Sequence, residues 1–442
     1  MSGPSNRKLF ILSIDGVPHS LMNEAFSRGV MPNFQRLVDR DGVISMNSVI
    51  PVISSVAWAT FSTGVNPGKH GIFGFVDRDA DLNYRILTAK DNKARSLWRR
   101  LNDLGKRVVA INVPGTYPPE PIDGIVIGDF ISPSIEKASY PNEIAPLLRE
   151  LNYIIDADPL LAQSDRSAYM QQLFDALRAR RELTLNLLES EDWDLFMLHI
   201  METDRINHFF WDAKDNSQNE FHNEFWDFYR RVDDLIGLLA DKLDEEFEFM
   251  ILSDHGFCKI DWDVDLNSLL VEQGFASFEE NANMLAGLDP SSHAYALTPG
   301  RIYLNLEGRE SRGSVRPSAS ANLKNELTNM LLELKDSKAG KNVIERVWGR
   351  EEIYSGPLLD LSADLIAHPN RGYDLKAGVG NSSIFKKSVR SGMHTFDEAL
   401  LYCRNRKLLR VDDHSILDAT PLIFNLLGLS IPTDLEGSSP LN

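Results

Sequence analysis

The chain has 442 residues, 43% hydrophobic and 25% charged, with a formal net charge of −18. That size assures a sizeable core in one large domain with an insertion or in two to three domains, while the acidic balance argues against sequence-independent binding of nucleic acid. Only two cysteines, Cys258 and Cys403, occur, which excludes a disulfide framework and a cysteine-rich zinc site. The N-terminal apolar run is too short for a signal peptide, and no run reaches the length of a membrane span. A cytoplasmic, soluble protein is therefore expected.

In chain order, Leu9–Ile14 (LFILSI) reads as a strand buried on both faces, ending in Asp15-Gly16. An amphipathic helix over Met31–Arg40 and a strand over Val43–Val49 follow. The next stretch, Pro51–Gly64 (PVISSVAWATFSTG), delivers Ser54 and Ser55 to a helix over Val56–Thr63 that Gly64 ends. A serine there is either an N-cap or, on the positive end of the helix dipole, a phosphate-binding and nucleophilic hydroxyl. Asn66–Gly71 is a turn-rich loop. Further helices are expected over Ala94–Leu104, Pro141–Leu151, Arg166–Ser190 and Phe221–Leu243. Strands are expected over Arg107–Asn112, Gly124–Ile127, Asp194–Met201 and Phe247–Leu252.

Three apolar runs thus lead into acidic residues, Asp15, Asp204 and Asp254, and two of these have a histidine nearby. Asp204 and His208 are four apart, so on a helix they share a face. Parallel strands would bring all three acids to one sheet edge, where α/β proteins bind ligands. Carboxylates and imidazoles are usual ligands of zinc or manganese. Residues 261–390 read differently, as an α+β insertion over that edge, with strands at Arg301–Leu306, Asn342–Trp348 and Ser362–Ala367 and a helix at Ala321–Leu334. His394 follows the basic residues Lys386, Lys387 and Arg390, which read either as a solvated charge run or as anion steering. A last helix spans Ile416–Leu427.

Five pieces in order then become specific. They are Ile14-Asp15-Gly16; Ser54 ahead of Thr63-Gly64, with Pro67 and His70-Gly71 after it; Thr203-Asp204 with His208; Ser253-Asp254-His255-Gly256; and Gly392-Met393-His394. Together they resemble the alkaline phosphatase superfamily, and within it the type I phosphodiesterase/nucleotide pyrophosphatase branch. The resemblance implies an α/β fold with a three-layer core and a mostly parallel sheet. The catalytic core would span 1–260 plus 391–442, and a smaller α+β cap 261–390.

The resemblance also implies two divalent metal ions, zinc first and manganese compatible. Asp204, His208 and His394 would hold one. Asp15, Asp254, His255 and the Ser54 oxygen would hold the other. Ser54 would attack phosphorus, and water would then hydrolyse the phosphoserine. The family's threonine followed by Phe-Pro-Asn is replaced here by Ser54-Ser55-Val56, and its oxyanion-stabilising asparagine has only Asn112 as a candidate, with a turn role as the alternative. Ser55, His293 and Tyr295 are the other candidate substrate contacts.

His70 reads as structural or as a support behind the ligands, and His199 as packed within a strand. His19, His222, His368 and His414 read as surface or structural residues. The expected substrate is a small phosphate ester or nucleotide-like molecule, with neither a nucleic-acid polymer nor a membrane as partner. The alternatives are a phosphomutase of the cofactor-independent phosphoglycerate mutase type and a catalytically inactive binding protein on the same fold.

Overall fold

An eight-stranded sheet forms the middle layer of the protein, seen in a computed structural model that describes residues 7–381, 383–408 and 414–441. Its strands are β1 (Leu9–Ile14), β2 (Ile44–Met46), β3 (Val108–Ile111), β4 (Gly124–Ile127), β5 (Ser139–Tyr140), β6 (Leu195–Ile200), β7 (Glu248–Leu252) and β10 (Ala399–Cys403). Two strands outside this sheet, β8 (Gly256–Lys259) and β9 (Gly392–Thr395), pair with each other antiparallel. The order across the sheet is β2-β10-β7-β1-β6-β3-β4-β5, and the run β7-β1-β6-β3-β4 is parallel throughout.

The alternation of side chains in each strand makes three layers. In β1, Phe10, Leu12 and Ile14 face one core cluster, whereas Leu9 and Ile11 face the other. β6 repeats this with Phe196, Leu198 and Ile200 against Leu195 and Met197. Both faces are covered, so these strands are apolar without interruption, as parallel strands require. One face carries α2 (Arg166–Ser190) and α4 (His222–Lys242). The other carries α1 (Ser54–Thr63), Leu97–Asp103 and Ala419–Leu426.

Most expected elements are present, and the differences have local causes. The helix expected from Ala94 begins at Leu97, because Ser96 caps it by accepting from Arg99 N at 3.1 Å. The one expected over Pro141–Leu151 is a 3₁₀ turn, Asn142–Ile144, running into the helix Ala145–Glu150. Ser54 is not an N-cap: Ile53 holds that position and Ser54 is the first helical residue. Gly64 ends α1 as expected, at φ 69°, where a side chain would also collide with Leu435. β10 was not foreseen. It enters the sheet antiparallel, between β2 and β7.

The segment between Asp261 and Arg390 has its own four-stranded sheet, Ala294–Leu297, Arg301–Leu304, Leu365–Pro369 and Ile344–Gly349, with the helix Ser320–Glu333 against it. Its apolar cluster also takes in Ile50, Phe73 and Leu82 from the earlier chain. The hairpin Val76–Arg78/Tyr84–Ile86 docks there too: Arg301 Nη2 donates to Val76 O at 2.8 Å and Arg78 Nε to the Tyr295 hydroxyl at 2.9 Å. No described helix is long and apolar enough to cross a membrane.

Candidate metal centre and active site

β1 is flanked by β7 and β6, and their registers match: Ser13 pairs with Leu252 and Ile14 with Ile200. The three strands therefore end together. Asp15 follows β1 directly, Asp254 and His255 follow β7, and β6 runs into α3 (Glu202–Asp215), whose first turns carry Asp204 and His208. The ends are sewn to one another. Thr203 Oγ1 donates to Asp15 O at 2.8 Å, Gly16 N to Asp254 Oδ1 at 3.1 Å, and Asn207 Nδ2 to Gly16 O at 2.9 Å.

His394 arrives from far along the chain through the β8–β9 ladder, in which it pairs with Phe257, two residues past His255. Its Nε2 lies 3.1 Å from Asp204 Oδ1 and 3.0 Å from His208 Nε2. His208 Nε2 is 3.4 Å from the same Asp204 oxygen. On the other side, His255 Nε2 is 3.4 Å from Asp254 Oδ2 and 3.6 Å from Asp15 Oδ1. The imidazoles of His255 and His394 stack at 3.7 Å, joining the two groups.

Each histidine anchors one nitrogen on a backbone carbonyl. His208 Nδ1 meets Gly392 O at 2.9 Å, His255 Nδ1 meets Gly256 O at 3.1 Å, and His394 Nδ1 meets Val52 O at 3.4 Å. A carbonyl can only accept, so Nδ1 carries the proton in each ring and Nε2 turns a lone pair inward. Three such lone pairs then face three carboxylates, and Asp254 Oδ2 is buried with no hydrogen-bond partner among the described residues. Acceptors this close repel unless a cation lies between them. The donor set fits divalent metal: Asp15, Asp254 and His255 offer ligand atoms within 4.8 Å of one another, as do Asp204, His255 and His394.

The electrostatics agree. Burial and the Asp15 carboxylate push Asp254 well above the ordinary carboxylate range. Burial pushes His255 down to about 4 and His208 well below its usual value, so both are neutral ligands near neutral pH. Burial would raise Asp204, but the permanently charged Arg205 guanidinium beside it works against that, and this carboxyl lies well below the ordinary carboxylate range.

Several supports escaped sequence reasoning. Trp58 Nε1 donates to Asp15 Oδ2 at 2.9 Å, and His199 Nε2 lies 3.1 Å from the same oxygen, leaving Oδ1 to face the centre. Arg205 Nη1 holds Asp204 Oδ2 at 3.0 Å in the same way. Below them Arg180 clasps Glu202 with both side chains fully buried, fixing the first turn of α3. Helical spacing does point from Ser54 to Trp58, one turn on. Nothing in the sequence points across to His199.

Ser54 Oγ lies 3.4 Å from Asp15 Oδ1 and 3.3 Å from His255 Nε2. As the first residue of α1 it stands among N–H groups with no carbonyl four residues back. The Ser55 hydroxyl is buried beside it, unpartnered among the described residues, on a small cavity with Phe75, Asp129 and Phe130.

Three expected substrate contacts lie away from the metal centre or are engaged by other groups. Asn112, with its amide oriented to suit its neighbours, donates to Ile155 O at 3.1 Å and accepts from Arg180 Nη2 at 3.0 Å; it is a strut of the buried Arg180 network. The Tyr295 hydroxyl donates to Glu310 Oε1 at 2.7 Å inside the apolar cluster of the inserted segment. His293 is exposed and does not line the cavity at the metal centre. His70 supports α1 from behind: its Nδ1 accepts from Ile72 N at 3.1 Å, and its Nε2 contacts Thr60 Oγ1 at 3.1 Å.

The sequence model of the type I phosphodiesterase/nucleotide pyrophosphatase family matches residues 9–397. Among curated proteins no sequence matches. Similar solved structures include phosphonoacetate hydrolase from Sinorhizobium meliloti 1021 in complex with phosphonoformate, at 17% identity and TM-score 0.66 over 96% of each chain. Another is murine ectonucleotide pyrophosphatase/phosphodiesterase 5, at 15% identity and TM-score 0.57 over 97% of this chain and 98% of that one. Its human counterpart shares 15% identity with a TM-score of 0.58, over 98% and 97%. At such identities these likenesses concern the fold. The family match spans most of the chain, so the chain belongs to the type I phosphodiesterase/nucleotide pyrophosphatase family of the alkaline phosphatase superfamily and is a metal-dependent phosphoric ester hydrolase.

Proposed function

We propose that the protein hydrolyses small phosphoric esters of the phosphodiester or nucleotide pyrophosphate kind, with Ser54 as nucleophile and a phosphoserine intermediate. The observation that carries this reading is the Ser54 hydroxyl, 3.3–3.4 Å from His255 and Asp15 at the start of a helix. Asp15, Asp254, His255 and Ser54 would hold one metal ion, and Asp204, His208 and His394 the other. Zinc suits the mixed oxygen and nitrogen donors, with manganese compatible. Such ions would lower the pKa of the serine hydroxyl and offset the negative charge of the phosphoryl oxygens. We read residues 1–260 with 391–442 as the catalytic unit and 261–390 as its cap.

Ser54 Oγ attacks phosphorus, the bond from phosphorus to the ester oxygen breaks, and the alcohol or phosphate departs with the proton that the serine gives up. The N–H groups at the start of α1 and the Ser55 hydroxyl would donate to phosphoryl oxygens as charge builds there. Water then attacks the phosphoserine, the Oγ–P bond breaks, and Ser54 regains its proton. His394 is 15% exposed, so water reaches the centre, which favours hydrolysis over a mutase that must keep its phosphoserine dry. A complete donor set likewise argues against an inactive binding protein. A small-molecule ligand suits a family whose relatives include a murine structure in complex with AMP, at 15% identity.

The test is turnover of bis(p-nitrophenyl) phosphate against p-nitrophenyl phosphate after loading with zinc or manganese. A preference for the diester that Ser54→Ala abolishes supports the reading. Preference for the monoester replaces it with a phosphatase, and turnover that survives in Ser54→Ala removes the serine from its role.

A further inference from the structure

A cavity of about 780 Å³ opens from His208 and His394 toward Ile50–Ile53 on one side and residues 366–376 on the other. That is far more room than one phosphoryl group needs, and falls in the range of organic-ligand sites. Four lysine and arginine side chains line it, Lys341, Arg371, Lys376 and Arg390, and two of them are paired. Lys376 pairs with Asp374, and Arg371 Nη2 lies 2.7 Å from Asp397.

Lys341 and the exposed Arg390 make no ion pair among the described residues, and Arg390 shares the cavity wall with His208 and His394. Its guanidinium lies over the ring of Phe209, 5.9 Å from the centroid, next to His208 on α3. The backbone behind it is fixed: Ser391 N donates to His208 O at 2.7 Å, and Arg390 N donates to Ser388 Oγ at 3.1 Å. A guanidinium on the cavity wall gains a charge-assisted hydrogen bond when an anion enters the cavity. The planar fork of arginine suits a carboxylate or phosphoryl group bidentately.

We infer that Arg390 receives a second anionic group of the substrate, set apart from the scissile phosphorus, so that the preferred esters carry a further phosphoryl or carboxyl group. This rests on the phosphohydrolase reading above and narrows its substrate class.

The experiment compares binding of propylphosphonate, 3-phosphonopropionate and propane-1,3-bisphosphonate to the metal-loaded protein by calorimetry. The first has no second anion, and the other two carry a carboxyl or a phosphoryl group at the far end. At least one of these two should bind about tenfold or more tightly than propylphosphonate, and the stronger one identifies the oxyanion. Arg390→Gln should lose most of that advantage, and Arg390→Lys should keep part of it, since lysine retains charge without the fork. Equal affinities in the wild type, or an advantage that survives in Arg390→Gln, overturn the inference and leave the metal centre standing. No binding of any of the three overturns the phosphoryl site and the inference together.

Discussion

The two halves of the centre use the same donor types on different supports. Asp15, Asp254 and His255 are fully buried at the ends of neighbouring parallel strands. Asp204 and His208 ride on a helix, and His394 comes from a short antiparallel ladder whose far side faces the large cavity. Asp15 accepts from Trp58 in the core, with His199 3.1 Å away, whereas Asp204 is held by Arg205, which is part exposed. Residue type thus sets what each half can bind, and the support sets how freely solvent and ligand reach it. One half is closed and the other open.

The largest expected effect belongs to the closed half, where Ser54 lies. Ser54→Ala should cut turnover by about 10³-fold or more while metal content and circular dichroism stay unchanged. Turnover within tenfold of wild type would detach the serine from the centre.

Removing one ligand from each half comes next. Asp254→Asn and His394→Ala should each lower turnover by about 10²-fold and remove metal from the half they belong to, read by elemental analysis. Unchanged metal in both variants contradicts the ligand sets. During dialysis against a chelator, wild-type protein should lose metal in two phases, and His394→Ala should lack the fast one. A single phase would break the contrast between open and closed halves.

A smaller effect is expected from Trp58→Phe, which keeps most of the ring and removes the N–H that orients Asp15. Metal affinity of the closed half should fall about tenfold, with little change in unfolding temperature. An unchanged affinity would mean that this N–H does not orient the carboxylate.

A last effect, on stability and not on the reaction, concerns His70, behind the helix that carries Ser54. Burial pushes its pKa down to about 3, against about 6.5 in an unfolded chain. Between those values the unfolded chain binds a proton that the folded protein excludes. Stability is therefore whole above about pH 6.5 and falls as pH drops toward 3, by up to about 1.4 kcal/mol per pH unit. His70→Gln should flatten this acid limb in denaturant titrations from pH 7 to 4; an unchanged slope would clear His70 of the effect.

Much of this was legible in the sequence, for a reason particular to parallel sheets. A strand buried on both faces is a continuous apolar run, so its end is marked, and Asp15 and Asp254 could be read at such ends. Asp204 and His208 showed themselves through helical spacing. Less local features were hidden. His199 lies inside an apolar run and looks like packing, yet strand alternation puts it against Asp15 and Trp58. Asn112 also follows a strand, but its φ of 62° and the buried Arg180 turn it toward a structural network. Tyr295 looked available because nothing in the sequence announces that Glu310 and Arg78 would engage its hydroxyl. β10 was missed because an antiparallel strand added late in the chain carries no signal of the neighbours it will join.

The β8–β9 ladder has a consequence for how the protein is made. It ties residues 256–259 to 392–395, so the centre begun by Asp15 lacks its last histidine until residue 394 of 442 has been synthesised. Chains emerge N-terminus first. Between residue 254 and residue 394 a nascent chain therefore holds all three carboxylates without the histidine that completes the second half, so that half can close on a metal only after the intervening segment has been made.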